Sequence, residues 1–334
     1  MSSLPVNEEF PKKTKTSRFW LTISRPEFLP ANSASLIIGL AWGLTLPVDF
    51  LWGLAAPLVL TFAVISLVGA FAAHINTMAD YELDQKDDTK KELVAAMASV
   101  GKGKLKKLMV FELSLSLFLL LVLTVFEGKL VFVFMWVAAV FFAYTYSAQP
   151  LRLKSRSFFA PITLIIVLSI LPVTFVTYVF TSTLDWAFFL FLAGQALTVY
   201  GVIVPAEIRD YFSDKATGTV TMTVRLGLVK ASLLGLTLLS VGGILCATGF
   251  TLKLTVSSLP MLSVLLIVMA VAYLYVLSKY WKILSLSRHL DNSQNQASAE
   301  QEIVQLAAKN PKWITIVTQA IVFMCLILLI AKLL

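Results

Sequence analysis

The chain has 334 residues, of which 58% are hydrophobic and 14% are charged, and its formal net charge is +8. So large an apolar fraction with so few charges excludes an ordinary soluble domain and indicates a polytopic membrane protein. The two cysteines, Cys246 and Cys325, lie inside apolar runs. We interpret them as packing residues rather than as a redox or metal-binding pair.

Residues 1–24 form a polar tail with a basic run, and they lack the short apolar core and small-residue cleavage site of a signal peptide. We therefore expect the tail to be retained and residues 25–334 to form a single membrane domain.

The apolar runs that follow are long enough to cross a bilayer, which takes about 20 residues. They lie near residues 31–47, 52–79, 105–126, 130–147, 158–180, 186–208, 229–250, 257–280 and 313–333. This pattern predicts an all-α bundle of nine transmembrane helices.

The basic residues are distributed asymmetrically between the loops that join these runs. With the nine predicted spans, all but three of the 27 lysines and arginines fall on the same side as the N-terminus, the exceptions being Lys129, Lys253 and Lys332. The positive-inside rule then places the N-terminus and these loops in the cytoplasm, in an inner or plasma membrane.

Two clusters of oxygen-bearing side chains end the second and sixth spans. Asn76, Asp80 and Asp84 are spaced i, i+4 and i+8, so they share one face if the helix continues through them. Glu207, Asp210 and Asp214 form the second cluster. Both clusters fall at predicted cytoplasmic helix ends, so we expect them to face one cavity.

The chemistry of these clusters favours a divalent cation. Charged side chains at membrane-helix ends require a partner, and carboxylate and amide oxygens suit Mg²⁺. With only two histidines and two cysteines in the chain, zinc and haem are poor alternatives. Basic residues near the clusters add cations, and metal together with several cations favours a diphosphate ligand.

These motifs resemble those of the UbiA superfamily of intramembrane prenyltransferases. Asn76-x-x-x-Asp80-x-x-x-Asp84 is similar to the first aspartate-rich motif, and the segments 207–218 and 218–227 are similar to the second motif and its continuation. Residues 144–154 and 24–30 also resemble family segments. The chain departs from the family pattern at Glu207, where Asn-Asp commonly opens the second motif, and at 90–93, where an Arg-Pro pair is common.

The resemblance implies roles for particular residues. Mg²⁺ would be held by Asn76, Asp80, Asp84, Asp210 and Asp214. The catalytic group would comprise Lys90, Lys91, Arg152 and Lys154, which neutralise the departing diphosphate, and Tyr146, whose ring shelters a carbocation. The remaining substrate-binding residues would be Arg25, Tyr144, Ser147, Glu207, Arg209 and Lys215.

The resemblance implies a Mg²⁺-dependent enzyme that transfers a prenyl group from an isoprenoid diphosphate to a lipophilic acceptor. A terpene cyclase of the same fold, which needs no second substrate, is an alternative. A cation-coupled transporter is a third, for which central acids on broken helices are typical. We expect contact with membrane lipid and no nucleic-acid partner, and the sequence leaves the oligomeric state open.

Overall fold

The computed structural model describes residues 16–24, 29–44, 51–85, 90–253, 259–290 and 296–333. These ranges are almost entirely helical and contain no strand. The helices are α1 (Thr16–Ser24), α2 (Leu29–Gly43), α3 (Leu51–Asp84), α4 (Lys91–Val100), α5 (Lys102–Glu127), α6 (Val131–Ser147), α7 (Phe159–Ile165), α8 (Leu171–Phe180), α9 (Trp186–Thr217), α10 (Met222–Leu226), α11 (Leu228–Lys253), α12 (Leu259–His289), α13 (Gln296–Ala307) and α14 (Asn310–Leu333).

Seven helical stretches in the described ranges are long and apolar enough to cross a membrane. They are Gly53–Asp84, Lys102–Glu127, Phe159–Phe180, Trp186–Thr217, Leu228–Lys253, Leu262–His289 and Gln296–Ile330. Two shorter apolar helices, Ser33–Gly43 and Val131–Ser147, coincide with the predicted first and fourth spans. The all-α class is confirmed, and the count of nine spans stays a prediction.

A π-helical turn joins α7 to α8, so that the two form one continuous helix. It covers Ile166–Ile170, and the Leu171 N–H donates to the carbonyl of Ile166, five residues back. Pro172 follows directly, and because proline has no N–H and its ring crowds the preceding turn, a regular α-helical ladder is interrupted at this point. The wider turn accommodates the proline without ending the membrane helix.

Glycines allow α9 and α11 to cross in close contact. A Cβ atom added at Gly194 would lie 2.6 Å from both the Cys246 nitrogen and the Gly242 carbonyl oxygen. One added at Gly242 would lie 2.5 Å from Thr198 Oγ1. Small residues of this kind drive helix association in membranes because they let the backbones approach. The crossing fixes α9, which carries the second acidic cluster.

The first acidic cluster is fixed by a different set of helices. Residues of α3, α4 and α5 form a buried apolar group with Ile23 of α1, which is fully buried although it lies within the predicted polar tail. At its other end α3 packs with α5, α6 and α8.

Two of the three lysines predicted for the opposite side are bound to helix ends. Lys129 donates to the carbonyl oxygens of Tyr178 and Val179 at the end of α8, at 2.8 and 3.1 Å. Lys253 pairs with Asp185 at 2.5 Å, and Asp185 also caps the start of α9. A cation at a helix C-terminus satisfies exposed carbonyl groups and the helix dipole.

Candidate functional site

The first acidic cluster lies on the last turns of α3. The helix continues unbroken to Asp84, so Asn76, Asp80 and Asp84 share one face, as the spacing predicts. Ser147, the last residue of α6, donates to Asn76 Oδ1 at 3.0 Å. The end of α6 is therefore held against the cluster.

A basic loop that follows α6 covers this cluster. Arg152 Nη2 donates to Asp80 Oδ1 at 3.0 Å, and Lys154 Nζ donates to Asn76 Oδ1 at 2.8 Å. Lys154 also donates to Asp80 Oδ2, so one ammonium group joins two residues of the motif. Arg152 has a φ angle of 37°, a left-handed conformation that is costly for a side chain other than glycine and often marks a functional turn.

Burial and charge act in opposite directions on Lys154. The loss of hydration lowers the pKa of the Lys154 ammonium below its ordinary value, while the nearby Asp80 carboxylate opposes that fall. Further along the motif, Lys90 Nζ donates to Asp84 Oδ1 at 2.6 Å, and the Asp84 side chain is only 8% exposed. The first motif is thus surrounded by protein cations.

The second acidic cluster lies near the end of α9, with different partners. Glu207 accepts hydrogen bonds from Tyr200 at 3.2 Å and from Thr223 at 2.8 Å. Asp210 pairs with Arg209 at 2.7 Å in a half-exposed contact. Asp214 lies close enough to Asp210 for their carboxylates to repel one another.

The chain turns back over this cluster through two glycines and a capped helix. Gly218 and Gly227 have positive φ angles and lie on either side of α10. Thr221 caps α10 by accepting from the Val224 N–H, and Thr223 of α10 reaches Glu207. These turns bring the continuation of the motif over its own acids.

The two clusters meet at one end of the bundle. Tyr146, one residue before the end of α6, lies within electrostatic range of both Glu207 and Asp80. Arg225 Nη1 donates to Ser157 Oγ at 3.3 Å, which joins α10 to the basic loop. Both acidic motifs therefore contribute to one polar region.

An apolar chamber lies beneath the first motif. It encloses about 790 Å³ of empty space, its open mouth included. Its walls come from α2, α3, α5, α6, α8 and the π-helical turn, through Ser35, Val64, Ile65, Val68, Gly69, Leu120, Met135, Trp136, Ala139, Ala143, Val167, Leu168, Leu171, Pro172 and Phe175. Ala143 precedes Ser147 by one helical turn, so the chamber and the polar region are neighbours along α6.

Within the described ranges, Tyr144 and Lys215 form no hydrogen bond or ion pair with either acidic cluster. Tyr144 is 45% exposed and points to a different side of α6 from Tyr146. Lys215 lies over the ring of Tyr211, with its ammonium 5.8 Å from the ring centre. Lys91 is the exposed first residue of α4. Arg25 lies outside the described residues.

Other residues of the region were not assigned from the sequence. Tyr200 lies seven residues before Glu207, a spacing that places both on one helix face. This spacing could have predicted their contact. Thr223 and Arg225 belong to the segment 218–227, which resembles a family motif, and Ser157 lies just beyond the segment 144–154. Nothing in their spacing indicated their partners.

The described residues contain no group of three His, Cys, Asp or Glu side chains arranged to bind a metal ion. The first motif supplies oxygen ligands from Asn76 and Asp80, and both accept hydrogen bonds from Lys154. That ammonium group lies where these oxygens converge, so the position favours a cation.

Comparison with known proteins identifies the family. Residues 33–290 match the UbiA prenyltransferase family. No protein with a curated description matches the sequence.

Solved structures share the fold at low sequence identity. A UbiA homologue from Archaeoglobus fulgidus, bound to DMAPP and Mg²⁺, is 16% identical with a TM-score of 0.58, and the match covers 89% of this chain and 98% of that one. A structure of digeranylgeranylglyceryl phosphate synthase is 17% identical with a TM-score of 0.58, covering 93% and 99%. A UbiA homologue from Aeropyrum pernix is 14% identical with a TM-score of 0.58, covering 90% and 98%. With the family match spanning most of the chain and seven helices suited to a bilayer within the described ranges, this protein is an integral membrane member of the UbiA prenyltransferase family.

Proposed function

We propose that this protein transfers a prenyl group from an isoprenoid diphosphate to a lipophilic acceptor in a Mg²⁺-dependent reaction. The observation that carries the proposal is the meeting of two acidic motifs and a basic loop next to an apolar chamber, which begins at Ala143, one turn before Ser147 on α6. A ligand with a charged head and a long apolar tail fits such a site, because the head requires polar surroundings and the tail requires apolar ones close by. The A. fulgidus homologue structures bound to DMAPP or GPP with Mg²⁺ support the same ligand class.

Five oxygen-bearing side chains would hold the metal: Asn76, Asp80, Asp84, Asp210 and Asp214. Bound Mg²⁺ neutralises the diphosphate and makes it a better leaving group. The donor set fits, because all of these ligands are hard oxygens and two of them already hold the Lys154 ammonium.

Basic residues would bind the diphosphate and stabilise it as the allylic C–O bond breaks. Arg152 and Lys154 lie directly against the first motif, and Lys90 lies against Asp84. Lys91, Arg209, Lys215 and Arg25 are proposed as further contacts from the surrounding segments. Charge-assisted hydrogen bonds of this kind are worth most where they meet charge that develops in the transition state.

Tyr146 and the chamber would serve the prenyl group. Tyr146 lies within electrostatic range of both motifs, and the face of its ring would stabilise a developing allylic cation. Ser147 would fix Asn76, and Glu207 would contribute a polar contact on the opposite side. The apolar walls would hold the tail and keep water from the cation. We propose that this polar end faces the cytoplasm.

The test is release of diphosphate by purified protein supplied with geranyl, farnesyl or geranylgeranyl diphosphate and Mg²⁺, followed by mass spectrometry of the lipid products. We expect release to require a membrane-lipid extract and to add a prenyl mass to one of its components. If diphosphate is released without any acceptor and a hydrocarbon forms, the protein is a cyclase and not a transferase. If no diphosphate is released under either condition, the proposal is contradicted, and transport or binding is favoured instead.

A further inference from the structure

The two acidic motifs differ sharply in how their charge is compensated. In the first, the carboxylates of Asp80 and Asp84 meet three cations, from Arg152, Lys154 and Lys90. Asp80 and Asp84 are largely buried, with side chains 17% and 8% exposed. Buried carboxylates are strongly destabilised unless they are paired, so these contacts satisfy the first motif within the protein itself.

The second motif lacks this compensation. Within the described part of the chain, its three carboxylates meet one guanidinium, that of Arg209 on Asp210. Glu207 accepts hydrogen bonds from the Tyr200 and Thr223 hydroxyl groups and from the Thr223 backbone N–H, and no described lysine or arginine pairs with it. No described lysine or arginine lies within 4.0 Å of the Asp214 carboxylate, which faces the charge of Asp210. A divalent cation at Asp214 relieves this repulsion. At Asp210 it competes with Arg209, which donates to both Asp210 oxygens but is half-exposed, so that water can solvate it when it leaves.

Lys154 accounts for the main difference between the two motifs, because it occupies the position that a metal ion would take in the first. Its ammonium lies on Asn76 and Asp80 together, so a cation cannot use both oxygens while Lys154 remains there. If Lys154 leaves, its charge requires another anion, because it is 16% exposed and poorly reached by water. A diphosphate beside the motif supplies that anion.

We propose that Lys154 acts as an internal counter-ion that blocks the first motif until a diphosphate arrives, so that divalent cations bind the second motif first. The proposal rests on the function proposed above. It predicts that the first motif gains its metal only when Lys154 and Arg152 transfer their hydrogen bonds from Asp80 to phosphate oxygens. The link from Arg225 to Ser157 joins the basic loop to the second motif and so limits how far the loop moves.

The experiment counts bound Mn²⁺ by equilibrium dialysis, with the free ion measured by electron paramagnetic resonance. The protein is used in detergent, with and without an unreactive geranyl thiodiphosphate. We expect wild-type protein to hold fewer ions without the analogue than with it. Lys154→Gln is expected to bind the additional ion without the analogue, at least about ten-fold more tightly than wild type, which corresponds to about 1.4 kcal/mol.

Three further variants make the result specific. Lys154→Arg keeps the positive charge and, like wild type, is expected not to bind the additional ion when the analogue is absent. Lys104→Gln removes an exposed lysine away from the motifs and is expected to change nothing. Asp214→Asn is expected to lose the ion that wild type binds without the analogue.

The proposal is overturned if wild type and Lys154→Gln bind the same number of ions with equal affinity when no analogue is present. It is also overturned if Asp214→Asn keeps its analogue-independent ion. The number of ions bound without the analogue does not depend on turnover, so it tests this proposal alone. If the proposed function were wrong, the protein would not retain the analogue and would not release diphosphate.

Discussion

Asp80 is the residue that joins both cations of the basic loop to the first motif. Its two carboxylate oxygens accept separately from Arg152 and Lys154, and it shares Lys154 with Asn76. A carboxylate that binds two cations at once holds the basic loop in place and also presents oxygen to a metal. Its charge is therefore needed for both tasks.

Asp80→Asn removes this charge while nearly keeping the size and shape of the side chain. The amide still accepts hydrogen bonds, so we expect the protein to remain folded in detergent, with a lower melting temperature because Arg152 and Lys154 lose their anion. Diphosphate release is expected to fall by at least about 100-fold, in line with the loss of a group that stabilises transition-state charge. Glu82→Gln, at a side chain 84% exposed, is the matched control. Unchanged release by Asp80→Asn would remove this residue from the metal site.

His74 is close to the motif in sequence but serves a different purpose. Two residues from Asn76 place it about 160° away around α3, on the side that faces α5. There its Nδ1 lies 3.0 Å from Glu112 Oε2, with both side chains buried. The pair joins α3 to α5 behind the motif, which is why we do not assign it to the reaction.

Loss of this pair should cost stability. Glu112→Ala leaves a buried histidine nitrogen without its partner, and we expect a decrease of about 1–3 kcal/mol in the free energy of unfolding. Glu112→Gln retains an acceptor and is expected to remain near wild type. Thermal melts in detergent distinguish the two, with the exposed Glu92→Ala as control. Equal melting temperatures for Glu112→Ala and wild type would show that the contact contributes nothing.

At the scale of helices, the second motif depends on how closely α9 approaches α11. The glycines of the crossing face backbone atoms, which cannot move aside as a flexible side chain can. The position of Glu207, Asp210 and Asp214 therefore follows from a contact several turns away along the same helix. Helix α9 transmits this placement because it is continuous from Trp186 to Thr217.

A single methyl group tests the crossing. In Gly242→Ala the new Cβ would meet Thr198 Oγ1 at 2.5 Å and the Gly194 carbonyl at 2.8 Å, so the helices must separate. We expect a loss of about 1–3 kcal/mol, as for other overpacked sites, seen as a lower melting temperature. Gly103→Ala on α5 has no atom within 4 Å of its Cβ and should be neutral or slightly stabilising. The idea fails if both variants melt alike.

At the scale of the whole molecule, the two ends of the bundle have different chemistry. One end carries both acidic motifs and the basic loop. At the other, Lys129 and Lys253 are bound to helix ends by carbonyl groups and Asp185. The charge bias of the loops predicts that the motif end is cytoplasmic.

Accessibility of engineered cysteines checks this orientation. Lys104→Cys lies at the motif end and Ser182→Cys lies at the other, and both positions are exposed. The native Cys246 and Cys325 are fully buried and give little background. In intact cells we expect a membrane-impermeant maleimide to label Ser182→Cys alone, and Lys104→Cys only after permeabilisation. The reverse pattern would invert the proposed topology.

The sequence by itself determined the all-helical class, the approximate positions of the long helices and the shared face of Asn76, Asp80 and Asp84. These follow from local properties, namely the length of an apolar run and the 3.6-residue period of the helix. Only the tertiary structure decided which cation meets which acid. Lys154 and Asn76 are 78 residues apart, and Arg225 and Ser157 are 68 apart. Such pairs depend on how helices cross and how loops turn, and those are set by packing between distant segments.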